Sequence, residues 1–101
     1  MTLTLELHPE ALAESEETAR FYAARDATIS TAFTVALESA LFDIMTHPEA
    51  HPAYLHGTRR LVMGRFPFSV VYSIEEGSIL LIALAHMHRR PGYWRGRLRA
   101  C

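Results

Sequence analysis

The sequence has no lysine, no asparagine and no glutamine, and its one cysteine, Cys101, is the last residue. A lone cysteine excludes an internal disulfide, so a core must hold the fold, and the composition suits a reducing compartment such as the cytoplasm. Long hydrophobic runs are missing too. The longest, Ile79–Ala85, has seven residues, against the roughly 20 needed to cross a bilayer. The opening Met1-Thr2-Leu3-Thr4-Leu5-Glu6 carries no base, so neither a membrane span nor a secretion signal is expected. Glycine and proline are scarce, at five each in 101 residues, which excludes collagen-like and disordered readings.

What is present suffices for one compact domain covering residues 1–101, with 50% apolar and 21% charged residues. The formal net charge of −1 conceals a segregation of sign. Residues 1–50 hold nine acids against Arg20 and Arg25, whereas residues 51–101 hold eight arginines against Glu75 and Glu76. Because every base is arginine, the cationic half is built from planar, permanently charged groups suited to phosphate or carboxylate partners.

Periodicity gives the order of elements. Thr2 to Leu7 alternates, with Leu3, Leu5 and Leu7 on one side of a strand. Pro9 ends it and, followed by Glu10, starts a helix that should run to about Arg25. Leu12, Ala19 and Tyr22 are its expected inner stripe, flanked by Ala11 and Ala23, with Glu14, Glu16 and Glu17 facing water. Asp26 or Thr28 can cap a second helix, in which Ile29, Phe33, Ala36, Leu37, Ala40, Leu41 and Ile44 recur at helical spacing. Such a short link makes the two helices an antiparallel hairpin.

His47-Pro48 and His51-Pro52 stop the second helix. Thr58 to Arg65 then alternates, placing Arg59, Leu61, Met63 and Arg65 on one face and Arg60 and Val62 on the other. Phe68 to Ile74 forms a second strand, Glu75-Glu76-Gly77-Ser78 a tight turn, and Ser78 to Met87 a central strand apolar on both faces. The fold class is therefore α+β, in the order β-α-α-β-β-β, a helical hairpin packed on a mainly antiparallel sheet.

Four features invite chemistry. The segment from His86 to Arg97 crowds two histidines, four arginines, Tyr93 and Trp94 into twelve residues, the mixture of cations and rings that a phosphate-rich partner requires. Its alternative is a lid, with Tyr93 and Trp94 folded onto the core and the arginines solvated. His86 and His88, two apart on a strand, would share a face, as a general acid beside a guanidinium would in phosphodiester cleavage. His47, His51 and His56 are spaced by prolines that break helical ligand geometry, so no metal is expected. Arg59, Arg60 and Arg65 either flank a sheet surface or decorate it. Neither a nucleophile elbow nor a phosphate-cradling glycine loop occurs.

The run from Gly57 to Tyr72, containing Arg65-Phe66-Pro67-Phe68, together with Ile74-Glu75-Glu76-Gly77, Ile82-Ala83-Leu84-Ala85-His86, Arg90-Pro91-Gly92-Tyr93-Trp94 and Arg97, resembles the RelE/ParE toxin superfamily. His8-Pro9-Glu10-Ala11 and Ile44-Met45-Thr46-His47-Pro48 extend the likeness over nearly the whole chain. The resemblance implies a toxin of a type II toxin–antitoxin (plasmid stabilisation) module, neutralised by a cognate antitoxin that wraps it, with a homodimer or a heterotetramer as the assembly. It implies a ParE-like poison of DNA gyrase. The alternatives are a RelE-like endonuclease cutting mRNA on the ribosome, or an inactive antitoxin-binding co-repressor. For a nuclease, Arg59, Arg65, His86, Arg90 and Tyr93 occupy regions comparable to the family's catalytic positions. The expected partner surface is Arg89, Arg90, Tyr93, Trp94, Arg95 and Arg97. No cofactor is implied, and the missing lysine and acidic helices favour gyrase over ribosomal RNA.

Overall fold

In the computed structural model, which describes residues 3–99, the elements follow the expected order. Thr2, the expected first strand residue, and Cys101 lie outside the described residues. The elements are β1 (Thr4–Leu7), α1 (Pro9–Arg25), α2 (Ala27–Thr46), β2 (Arg59–Val62), β3 (Phe68–Glu75) and β4 (Ser78–His86). The sheet runs β1-β4-β3-β2, with β1 parallel to β4 and the other neighbours antiparallel.

Helix starts and stops follow capping chemistry. Pro9 sits in the first turn of α1, and the His8 side chain accepts from the Glu10 N–H. One residue, Asp26, both ends α1 and starts α2: its own N–H donates to the Tyr22 carbonyl, while its carboxylate accepts from the Thr28 N–H at 2.7 Å. The hairpin turn before β4 relies on Gly77, whose φ of +73° disfavours any side chain.

The helices cover one sheet face. Ala11, Phe33, Ala40 and Ile44 bury against Phe68, Val70, Tyr72, Ile79, Leu81 and Leu84, and the rings of Tyr22, Phe33, Phe66 and Phe68 interlock at centroid distances of 5.4–5.9 Å. By length and composition α2 is apolar enough to cross a membrane. Its Phe33, Ala40 and Ile44 are buried on the sheet, while Val35 and Phe42 stand exposed.

The second face carries its own core, in which Val71, Leu80, Ile82 and Ala83 lie beneath Trp94 with Tyr54, Tyr93 and Leu98 beside it. A bulge makes this possible. Tyr72 pairs with Leu81 and Val71 with Ala83, so Ile82 is the extra residue, and both Ile82 and Ala83 reach the same face.

Several expectations need correction. Leu12 is 45% exposed, and Ala23 and Ile29 are also exposed, so the helix stripes are narrower than the sequence spacing implies. Glu14 faces the sheet rather than water. The strand β2 stops at Val62, three residues short of Arg65: Met63 N–H still pairs with the Phe68 carbonyl, and the chain then turns, with the Phe68 N–H donating to the Phe66 carbonyl. β4 ends at His86, so His88 stands in a turn rather than on a strand.

Candidate functional site

Neighbouring residues on a strand point to opposite faces, and this divides the two arginines at the start of β2. Arg59 turns toward the preceding loop, where its guanidinium donates to the carbonyls of Glu49 at 3.2 Å and His51 at 2.7 Å. It fastens that loop. Arg60 faces the other way, its guanidinium 4.2 Å above the Tyr54 ring. Its backbone N–H meanwhile donates to the Pro52 carbonyl, so the loop also covers the outer edge of β2.

At the far end of β4 the chain reverses. The N–H groups of His88 and Arg89 donate to the His86 side chain and carbonyl, and those of Tyr93 and Arg95 to the carbonyls of Arg90 and Gly92. These turns lay residues 93–98 back across the sheet as a strap. Gly92 enables the reversal with a φ of +80°. Trp94, 1% exposed, is its anchor, set 6.0 Å from the rings of both Tyr54 and His56.

Glu14 holds the strap from the side. Its carboxylate accepts from the Tyr93 hydroxyl at 2.6 Å and from both terminal nitrogens of Arg97 at 2.8 and 3.0 Å. It also accepts from the Leu84 N–H, while Arg97 donates to the Ile82 carbonyl. β1 has left β4 after Leu81, so this ion pair stands where a further strand would have paired. Burial, and then the hydrogen bond to Glu14, push the Tyr93 phenol above its ordinary pKa of 10.0. A raised folded-state value gives stability that is complete below about pH 10 and is lost as pH climbs from there toward the higher folded value. We expect alkaline unfolding in this range to be delayed in Tyr93→Phe relative to its own neutral-pH stability, as read by circular dichroism across pH 9–12.

Between Arg60 and the strap lies a cleft of about 90 Å³. Arg60, Ser69, His86, Arg89 and Arg90 supply its polar lining over a floor of Val71, Ala85 and Trp94. Arg89 stacks on Tyr93 at 3.8 Å, as Arg60 does on Tyr54. No carboxylate lines the cleft. Among the described residues Arg97 and Arg99 are paired with acids, whereas Arg60, Arg89 and Arg90 enter no ion pair. Two of these guanidiniums, those of Arg60 and Arg89, are held by rings instead of by counter-charges, with Arg90 beside them in the lining, an arrangement that favours an incoming anion.

The structure gathers some sequence candidates and separates others. His86, Arg90 and Tyr93 line this cleft, but Arg59 is committed to the loop carbonyls. Arg65 lies beside Phe66 on a different, larger groove of about 740 Å³ between α2 and β2, lined by Ala36, Phe42 and Asp43. Of the expected partner surface, Arg89, Arg90 and Arg95 are exposed and Tyr93 is half-buried, while Trp94 and Arg97 face inward. His86 and His88 do touch, at 5.1 Å between rings, although through the turn. No cluster of metal-ligating side chains occurs among the described residues. Arg60, singled out with Arg59 and Arg65 in the sequence but not among the expected catalytic or partner residues, is the member of that trio that lines the cleft. Glu14 escaped the sequence reading, although it was detectable from its place three residues after buried Ala11 on the stripe that continues to Thr18 and Tyr22.

A sequence model described as ParE toxin of type II toxin-antitoxin system, parDE, matches residues 5–91. The chain belongs to the ParE toxin family, within the RelE/ParE superfamily. The α+β fold agrees: this ParE-family chain is similar to a solved structure of the chromosomal ParDE TA system from P. aeruginosa, with a TM-score of 0.65 at 15% identity, covering 86% of this chain and 98% of that one. No curated protein matches the chain. The match to residues 5–91 takes in Glu14, Arg60, His86, Arg89 and Arg90 but stops before Trp94 and Arg97, so the strap lies beyond it.

Proposed function

We propose that this ParE-family toxin poisons DNA gyrase without catalysing a reaction, and that a cognate antitoxin neutralises it in the cytoplasm. The observation that carries the reading is how few of the acid–base candidates are left together: of the five, only His86 and Arg90 remain in the cleft once those facing elsewhere or bound by Glu14 are set aside. Arg59 serves a loop, Arg65 faces another groove, and the Tyr93 hydroxyl is bound by Glu14. Cleavage of a phosphodiester by 2′-hydroxyl attack needs a base and an acid within hydrogen-bond reach of one phosphate. A poison needs only a surface that stabilises one state of its target. The family match and the likeness to a ParDE system support a toxin–antitoxin module. For the antitoxin, the groove between α2 and β2 offers exposed Phe42 and Val62 with Arg60 and Arg65 at its rim, which suits an acidic amphipathic segment.

The test is purified protein added to gyrase with relaxed plasmid. Loss of supercoiling with accumulation of cleaved DNA is the expected result, and it should disappear when the antitoxin is added in equal amount. If supercoiling is untouched while protein synthesis falls first on induced expression in bacteria, the gyrase reading is overturned in favour of an mRNA-cutting toxin.

A further inference from the structure

We propose that the arginine cleft is a docking site for a backbone phosphate of duplex DNA, which makes DNA as well as gyrase protein a ligand of this surface. The inference deepens the gyrase reading for the same site. Three observations carry it. First, the cleft is of a size for one tetrahedral oxyanion, at about 90 Å³, and its rim carries Arg60, Arg89 and Arg90 with no acid in the lining. Second, charge is separated across the sheet. Glu16 and Glu38 are exposed on the helical layer, while Glu10 and Glu14, which reach the strap, are engaged there by Arg97 rather than by the cleft arginines. A polyanion approaching the helices is repelled and one approaching the cleft is attracted, which favours one docking orientation.

The third observation selects the kind of nucleic acid. Single strands are held by stacking bases on free aromatic faces, at roughly 1–3 kcal/mol per base. Here the tyrosine and tryptophan faces are taken: Arg60 covers the Tyr54 ring, Arg89 covers the Tyr93 ring, Trp94 is buried, and the His86 ring packs edge-on with Phe68 and His88. The cleft can grip a phosphate but offers an unstacked base no free tyrosine or tryptophan face. Backbone contact without base contact is how duplex DNA is held irrespective of sequence. An acidic peptide is the weaker fit, because its carboxylates ride on flexible side chains that must be ordered on binding, whereas a duplex presents its phosphate on a stiff backbone.

Trp94 is the chain's one tryptophan and forms part of the cleft floor, so its fluorescence reports occupancy directly. The experiment titrates the full chain with a 20-base-pair duplex at 50 mM salt and repeats it at rising salt, with single-stranded RNA and polyglutamate as comparison probes. We expect the duplex to shift Trp94 emission and to bind at least tenfold more tightly than either comparison probe. In Arg60→Ala/Arg90→Ala, whose wild-type thermal melting would confirm folding, affinity should fall about tenfold or more, and the slope of log K against log salt should drop by about 1, for the one phosphate the cleft holds. Unchanged binding or an unchanged slope in that variant overturns the proposal. So does tighter binding of single-stranded RNA or of polyglutamate. Because the titration contains no gyrase, its failure leaves the supercoiling assay to be judged on its own result.

Discussion

Glu14→Ala is expected to destabilise the protein by about 3–5 kcal/mol, the cost of removing one partner from a buried ion pair. Arg97, with a side chain only 10% exposed, would keep its charge and lose both strong acceptor contacts. The Leu84 N–H and the Tyr93 hydroxyl would lose their acceptor at the same time. Urea unfolding followed by circular dichroism measures this. Glu14→Gln preserves the shape and one acceptor oxygen but not the charge, so its loss should fall between wild type and alanine. If Glu14→Ala costs less than about 1 kcal/mol, in the range of an exposed pair, the strap is held by Trp94 alone.

Trp94→Ala should cost a similar amount, about 3–5 kcal/mol, the range for emptying a large aromatic site in a core. The void would open directly over Val71, Leu80, Ile82 and Ala83. Because Trp94 and Glu14 fasten the same strap, their effects should not add: once either fastening is lost, the other has less ordered structure to hold. The double variant is expected to lose clearly less than the sum of the single losses, and strict additivity would show that the two fastenings are independent. Either change should also loosen Tyr93 beneath Arg89, and so weaken whatever anion the cleft takes.

The architecture was legible because it is written in period and punctuation. Pro9, Asp26, Pro48 and Gly77 each stop or start an element by a local steric or capping rule, and such rules survive in any tertiary setting. The doubly apolar run of β4 likewise announced a central strand, and Trp94 did fold inward as a lid. What the pattern could not convey is which face of an amphipathic surface meets an unusual partner. Glu14 looked solvated among Glu16 and Glu17, since its neutralising arginine lies 83 residues away. Arg59 and Arg60 are chemically identical in the sequence, and only the loop carbonyls of Glu49 and His51 decide which is consumed by structure and which remains free.

The parallel pairing of β1 with β4 and the reach of Glu14 to Arg97 tie the first segment of the chain to the last. On a ribosome, β1 and the inward carboxylate of Glu14 must therefore wait for partners made 74 and 83 residues later. Contacts of such long sequence separation slow folding, and here they also set its timing. The cleft comes into being only once residues 86–97 have joined the sheet, so a product cut short before them lacks the surface.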